Sequence, residues 1–458
     1  MTASTRARVA DGAAMGARIA FIALVVLSPF RARIDLLARP DPPVYGDFTD
    51  VLLYWSDIAL VATLGCWLLS LAARRRAITL GPRFLTVPIA GLLLVGWAGV
   101  PFAVDPVVAA DGAIRLVALA ALALFVVNEL DLGSLRVPLV AMVAIQAVVA
   151  IAQYADQRSI GLGALGEHAL APDLGVSVVT GTNGVRYLRA YGLTDHPNIL
   201  GGILAIAILL LIGILATRTR RRPGAADLLA GATVALGSAA LFVTFSRAAW
   251  LGATVGLVVL GAMLVAMHAR SVVRVAALVC AAAAIAVAPL VGPALPVLAA
   301  RLDPGSRIAT EARSIDERAG VAEAANAIFI AHPALGVGIG ALPTAMKTAD
   351  PAFPWDFQPA SVIVLDVAAE TGIVGAACFL VVLIAPWIAL VRRRDRWTLS
   401  LAAASAALAA IDLIGFFDYY TWTYPAGRIW WWIVLAIWIV AYRAASGPRP
   451  AEAVAGAA

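Results

Sequence analysis

The sequence predicts an all-α polytopic membrane protein that crosses the bilayer about twelve times and carries one large loop on the outer side. The composition supports this class, because 62% of the 458 residues are hydrophobic and only 14% are charged. The mean hydropathy of +0.91 is too high for a chain whose surface faces water. The lipid bilayer is therefore the expected surrounding of most spanning segments.

Apolar stretches of spanning length recur along the whole chain and define the predicted helices. They cover residues 17–33, 51–73, 84–102, 107–128, 136–155, 192–216, 225–245, 249–267, 272–297, 364–391, 397–416 and 428–445. Many transporters consist of two halves that are related by an internal repeat. No such repeat relates the first half of this series to the second.

The positions of the arginines predict how the chain is oriented in the membrane. They cluster in alternate connections between the apolar stretches, which is typical of cytoplasmic loops. The net charge of +6 therefore reports topology, and no nucleic-acid partner is expected. The basic connections contain Arg74, Arg75, Arg76, Arg136, Arg218, Arg220, Arg221, Arg222, Arg270, Arg274, Arg392, Arg393, Arg394 and Arg396. Both termini are predicted to be cytoplasmic, and the outer side receives segments 34–50, 156–191, 298–360 and 417–427.

Segment 298–360 is the longest stretch without a predicted span. Within it, residues 313–331 alternate apolar and polar side chains at helical spacing, which predicts an amphipathic helix near the membrane surface. A Gly- and Pro-rich turn follows and leads into the tenth span, whose first turns carry Asp366 and Glu370 on one helical face.

Two further stretches carry candidate site residues. Arg189 to Gly202 (RAYGLTDHPNILGG) combines a cation with a Pro-Asn helix start, where free N–H groups favour an anion; an ordinary helix cap is the alternative. Arg247 follows Ser246 in a very short connection at the outer interface. An interfacial cation there needs an anionic partner, unless its side chain extends to the lipid headgroups.

A third cation, Arg318, lies on the loop helix near Glu317. On its own, such a mixed-charge helix face is more often solvated than functional. The cysteines Cys66, Cys280 and Cys378 fall inside apolar runs without metal-ligand spacing, so neither a metal nor a cofactor is expected.

Together these segments resemble the O-antigen ligase/polymerase family of bacterial envelope glycosyltransferases. The resemblance covers about residues 185 to 385 and rests on ordered motifs: R-x-x-G-x-x-x-H-P-N-x-L-G from Arg189, Ser246-Arg247, S-x-x-x-R ending at Arg318, H-P-x-x-G-x-G from His332, and L-x-x-x-x-E-x-G-x-x-G from Leu365.

This resemblance implies a metal-independent glycosyltransferase in the cytoplasmic membrane with its site facing outward. The implied donor is an undecaprenyl-diphosphate-linked glycan, and the acceptor is a glycan or lipid hydroxyl. Arg247, Arg318 and Arg189 are the expected catalytic cations for the diphosphate, because guanidinium groups bind phosphate oxygens bidentately. His196, Asn198 and Ser246 are expected to bind substrate.

The resemblance also implies a division of the chain. Residues 1–184 would form the N-terminal spans, residues 185–391 the ligase-like core with the outer loop, and residues 392–458 the last two spans and a cytoplasmic tail.

The chain departs from the family at one position. Where relatives carry the histidine expected to activate the acceptor, this sequence has Ser361, whose hydroxyl is not a general base near neutral pH. Asp366, Glu370 and His332 are the candidate replacements, and Ser361 itself is a candidate substrate ligand. His332 and His196 each precede a proline, so shaping a turn is the alternative role for both.

Aromatic residues in 417–427 surround Asp418, another candidate carboxylate. An interfacial aromatic belt is the simpler interpretation of that cluster.

Three functions remain open at this stage. The first is a ligase or polymerase of lipid-linked glycans. The second is a non-catalytic relative that binds such glycans, which the loss of the histidine favours. The third is a transporter of an amphiphilic substrate, which the number of spans favours.

Overall fold

The computed structural model describes residues 3–74, 76–218, 223–302 and 309–446, and for residues 3, 4, 301, 302 and 309–315 it describes the backbone alone. Within these ranges, eleven helices are long and apolar enough to cross a membrane, and a further apolar helix, Leu399–Gly415, is shorter. The prediction of an all-α polytopic membrane protein is confirmed. The side of the membrane that each terminus faces stays a prediction.

The helices are numbered in chain order. They are α1 (Ala3–Leu27), α2 (Trp55–Arg74), α3 (Arg83–Gly99), α4 (Pro106–Glu129), α5 (Arg136–Asp156), α6 (Pro197–Thr217), α7 (Ala225–Val243), α8 (Arg247–Ala266), α9 (Arg270–Leu302), α10 (Ala309–Ala331), α11 (Leu342–Ala349), α12 (Ile363–Arg392), α13 (Leu399–Gly415), α14 (Tyr420–Thr423) and α15 (Pro425–Ser446). Helices α10, α11 and α14 are not among the candidate spans.

The first predicted span, 17–33, is placed wrongly at both ends. Helix α1 already begins at Ala3 and ends at Leu27, just before Pro29, which cannot continue a helix. The chain then forms strand β1 (Arg33–Leu37), which pairs antiparallel with β2 (Val51–Tyr54). A second short hairpin, β3 (Val178–Thr180) with β4 (Arg186–Leu188), was not predicted either.

The basic connections gather at one end of the bundle. Contacts across this end join Arg74 to Asp11, Arg136 to Asp227, and Arg393 to Ser446. Arg75 and Arg220 to Arg222 lie outside the described residues. The hairpins and the candidate site lie at the opposite end. These contacts agree with the arginine pattern, and the topology in the membrane stays a prediction.

Helix α6 is the centre of the bundle. Every residue from Ile199 to Ala216 is buried, and the helix packs against α5, α7, α8, α13 and α15. A helix that is apolar on all sides can face lipid or other helices, and α6 is enclosed by other helices along its whole length. The first turn of α6 is therefore held rigidly.

Helix α10 is present where the sequence predicted a loop helix, and it begins at Ala309. Its buried side chains Val321, Ala325 and Ile328 recur at helical spacing and pack against α11 and α12. This packing fixes α10 over the end of the bundle opposite the basic connections and leaves Arg318 exposed.

Helix α12 is broken at Gly372, which adopts φ +68° and ψ −169°. The turn that follows α10 docks against this break. Ile373 N–H donates to the carbonyl of Pro333 (2.8 Å), and Val337 N–H donates to the carbonyl of Ala369 (2.9 Å). The backbone groups that the break releases from the helix are thus paired by the turn.

Candidate active site

A cavity of about 530 Å³ opens at the end of the bundle opposite the basic connections. Strand β3, the starts of α6 and α8, one turn of α10 and the segment after α13 all contribute to its wall. Its charged side chains are Arg189, Arg247, Arg318 and Asp418. Among the described lining residues the cavity therefore has three guanidinium groups and one carboxylate, so their net charge is positive.

The segment before α6 is shaped by buried amides from α5. Gln153 Oε1 accepts hydrogen bonds from the backbone of Tyr191 (3.1 Å) and Gly192 (2.8 Å). Gly192 has φ +57°, and a Cβ there would lie 2.4 Å from Gln146 Oε1. A glycine is required at this turn, since a side chain would both strain the backbone and collide. The turn delivers His196 to the N-cap of α6, where its Nδ1 accepts from Asn198 N–H (3.2 Å).

Arg189 is buried and its guanidinium is held from three sides. Nε donates to the carbonyl of Thr244 (2.8 Å), Nη1 donates to Ser177 Oγ (2.8 Å), and Nη2 donates to Asn198 Oδ1. Asn198 Nδ2 in turn donates to Asp418 Oδ2 (2.6 Å). Arg189 thus positions Asn198, which positions the carboxylate.

Arg247 occupies the first turn of α8. Ser246 is the N-cap, and its Oγ accepts from Ala249 N–H (3.4 Å). Phe245 before it has φ +50°, which turns the chain sharply from α7 into α8. The exposed guanidinium of Arg247 and the positive end of the α8 dipole therefore face the same cavity.

Arg318 reaches the cavity from α10, and Asp418 lies across from it after α13. Burial raises the pKa of the Asp418 carboxyl above its ordinary value, while the positive charge of Arg318 and the hydrogen bond from Asn198 oppose this effect. Ser314 lies on the same helix, and its side chain is outside the described residues.

A second cavity of about 290 Å³ adjoins the first and shares His196, Asn198, Arg318 and Asp418 with it. It is richer in acids and hydroxyl groups than the first. Its remaining lining residues are Asp195, Ile199, Glu317, Gln358, Ser361, Tyr419, Tyr420 and Tyr424.

Gln358 connects two walls of the second cavity. It donates to Glu317 Oε1 (2.6 Å), and the Tyr419 hydroxyl donates to Gln358 Oε1 (3.1 Å). This chain of hydrogen bonds links α10 to the segment after α13. The polar wall is therefore ordered before any ligand enters.

The side chains predicted to replace the family's histidine are not among the described residues that line the two cavities. Asp366 is fully buried and accepts from Ala360 N–H (2.6 Å), and Glu370 accepts from the indole N–H of Trp422 (2.8 Å). Neither lines the two cavities among the described lining residues. His332 is exposed in the turn that docks at Gly372. Ser361, in contrast, lines the second cavity.

The structure also brings in residues to which the sequence had given less weight. Glu317 was considered part of a solvated face, and Tyr419 and Tyr424 part of an interfacial belt. All of them line the second cavity, and Trp422 is buried inside the protein with 7% exposure. In the sequence, Asp418 was only one of several carboxylates considered for the site. The burial of these side chains favours a role in the cavity, and the belt interpretation stays a prediction.

Replacing Arg189 with leucine is expected to lower activity about 100-fold, since it removes the buried contact that holds Asn198 and leaves three acceptors without their donor. The glycan transfer that the family resemblance implies and thermal unfolding in detergent are the measurements. Because Arg189 acts through Asn198, we expect Arg189→Lys to fold normally and remain impaired, since an ammonium group cannot bond all three partners. Full activity of Arg189→Lys would contradict this role.

Within the described part of the chain, no group of three or more His, Cys, Asp and Glu side chains is arranged to hold a metal ion. Among the described residues of the first cavity, the arginines named above are the cations that can bind an anionic ligand.

Comparison with known proteins gives one family. Residues 232–380 match the family described as O-antigen ligase. The match begins within α7 and ends within α12, so it includes Arg247, Arg318 and Ser361 and leaves Arg189 and Asp418 outside. No curated protein matches the chain. This result supports the family resemblance of the sequence motifs.

Proposed function

We propose that this chain, whose residues 232–380 are an O-antigen ligase domain, transfers a glycan from an undecaprenyl-diphosphate carrier to a sugar or lipid hydroxyl. The domain supports a membrane glycosyltransferase of the ligase/polymerase type in general. We place the reaction at the outer face of the cytoplasmic membrane. The single observation that carries the proposal is the pair of adjoining cavities with different charge.

The first cavity suits the diphosphate of the donor. A glycosyl diphosphate gathers negative charge on its oxygens as the glycosidic bond breaks, and guanidinium groups stabilise that charge. Arg247 and Arg318 come from different helices and face the same space, so they can contact the diphosphate from two sides. The N-terminus of α8 adds partial positive charge.

The lipid tail of the donor also has a path. Leu251 on α8 and Phe417 after α13 line the first cavity and are each 44% exposed. An exposed apolar rim beside a cationic cavity suits a ligand with a charged head and a long hydrocarbon tail. The polyprenyl chain would leave the cavity between these two side chains and enter the bilayer.

The second cavity suits the acceptor. Carboxylates, an amide and tyrosine hydroxyls line it, and this mixture binds hydroxyl-rich ligands. Tyr419 and Tyr424 also offer aromatic faces, with ring centroids 6.3 Å apart. An acceptor bound there would meet the donor at the shared wall formed by Asn198, Arg318 and Asp418.

One alternative has an observation in its favour. Ser361 takes the place of the family's histidine, and a relative that lost its base could bind lipid-linked glycans without transferring them. A transporter of the lipid-linked glycan is a further alternative.

Reconstitution tests the proposed function. The purified chain in lipid vesicles receives a radiolabelled undecaprenyl-diphosphate-linked oligosaccharide and an unlabelled acceptor glycan. We expect one undecaprenyl diphosphate to be released for each labelled glycan joined to the acceptor. Donor binding without product would favour the non-catalytic relative, and movement of intact donor across the bilayer would favour the transporter. Either outcome would overturn the proposal.

A further inference from the structure

The loss of the family's histidine leaves a chemical requirement. The acceptor hydroxyl must lose its proton as it attacks the anomeric carbon, and a general base within hydrogen-bond reach accelerates that step. Ser361 has a hydroxyl in the second cavity, but a neutral hydroxyl takes up a proton poorly near pH 7. Another group that faces both substrates has to serve.

We propose that Asp418 is the general base that accepts the proton of the acceptor hydroxyl in this chain. This inference rests on the proposed function, and it assigns a catalytic role to a residue outside the matched domain. Its first support is location. Asp418 lines both cavities, at the wall where the bound donor and acceptor would meet.

The second support is how the carboxylate is held. Asp418 is only 9% exposed, and its Oδ2 accepts from Asn198 Nδ2 (2.6 Å). The buried Arg189 holds the partly buried Asn198 in turn, and this chain of contacts fixes the orientation of the carboxylate. A carboxylate has about four lone-pair directions, and the hydrogen bonds from Asn198 and from the backbone N–H of Tyr420 use two of them. Capacity for the acceptor hydroxyl therefore remains.

The third support is the proton affinity of the group. Burial raises the pKa of Asp418, so it takes up a proton more readily than a carboxylate in water does. Arg318 and Asn198 act in the opposite direction and favour the charged form. The balance suits a base that must be ionised before the reaction and protonated after it.

The other two described carboxylates of the second cavity, Asp195 and Glu317, are bound by other side chains. Asp195 forms ion pairs with Arg31 and Arg33 (both 3.1 Å). Glu317 accepts from Gln358 (2.6 Å) and does not line the first cavity. Asp418 is the carboxylate that both described cavities share.

The step balances without a co-reactant. The acceptor oxygen forms a bond to the anomeric carbon, and the bond from that carbon to the diphosphate oxygen breaks. Its electron pair stays on the diphosphate, which Arg247 and Arg318 stabilise. The hydroxyl proton passes to the Asp418 carboxylate and leaves to water after the products dissociate.

The test compares four variants in the reconstituted transfer assay. We expect Asp418→Asn to lower the rate of transfer by at least 100-fold, because the amide keeps the shape and cannot accept the proton. Asp356→Asn removes an exposed carboxylate of segment 298–360 that is not among the residues lining either cavity, and it should stay within twofold of the wild type. Glu317→Gln should lose less than tenfold.

The fourth variant separates a missing base from a damaged site. Ser361→His combined with Asp418→Asn restores the residue that the family carries, and we expect it to regain at least tenfold over Asp418→Asn alone. Near-wild-type activity of Asp418→Asn, or loss confined to Glu317→Gln, would overturn the inference. If the wild type itself transfers no glycan, the proposed function fails instead.

Discussion

Replacing Arg318 or Arg247 with alanine is expected to reduce glycan transfer by roughly 1,000-fold each. Both guanidinium groups face the cavity assigned to the diphosphate, where they stabilise charge that grows in the transition state. Lysine at either position should recover part of the rate, because it keeps the charge and loses the bidentate geometry. The measurement is the rate of undecaprenyl diphosphate release by purified variants in vesicles.

The matched control is Arg186→Ala. Arg186 is an exposed arginine on β4, at the same end of the bundle, and is not among the residues that line either cavity. Its loss changes the net charge equally and should leave the rate within about twofold. If Arg318→Ala, Arg247→Ala and Arg186→Ala all lose activity to the same small extent, the arginines act only through long-range attraction, and the assignment of a diphosphate site is wrong.

Replacing Gly372 with valine is expected to prevent stable folding of the outer loop on α12. Gly372 has φ +68°, which a β-branched residue rarely adopts, and a Cβ there would lie 2.4 Å from the carbonyl oxygen of Ala334. The docked turn would have to separate from the helix break. We expect a loss of several kcal/mol in stability, observed as a lower unfolding temperature in detergent and a low yield of membrane-inserted protein.

Gly261→Val is the control for this prediction. Gly261 lies inside α8, and a Cβ there would have no neighbour within 4 Å. This variant introduces the same side chain into a spanning helix without a collision, so it should cost at most about 1 kcal/mol. Equal stability of Gly372→Val and Gly261→Val would show that the turn from His332 does not need the break in α12.

The sequence predicted the spanning helices well because bilayer thickness sets their length and hydropathy marks them. It missed both hairpins, since strands of three to five residues in polar outer segments leave no pattern that distinguishes them from loops. Helix α1 was predicted too short because its first turns carry Arg6 and Arg8, and their charges hide a helix that continues beyond the apolar core.

The candidate site was predicted in part. The motifs around Arg189, Arg247 and Arg318 do meet in one cavity, although they come from three separate segments. Asp366 and Glu370 were correctly expected to lie at the start of α12. The sequence could not show that this face of α12 turns toward the protein interior and the indole of Trp422.

Asp418 illustrates the remaining limit of sequence patterns. It lies 220 positions from Asn198 in the chain, and only the packing of α13 beside α6 brings the two side chains within 2.6 Å. An acidic residue directly before two tyrosines, with further aromatic residues nearby, gave a weak signal, because belts of interfacial aromatics look the same.

A structure of the Asp418→Asn variant with a lipid-linked donor bound tests the central claim most directly. Electron cryomicroscopy of the protein in nanodiscs would locate the diphosphate of the donor, its polyprenyl tail and its first sugar. We predict that the diphosphate lies between Arg247 and Arg318, with the tail leaving past Leu251 and Phe417 and the first sugar beside residue 418. A diphosphate bound outside this cavity, with both arginines turned away from it, would contradict the account.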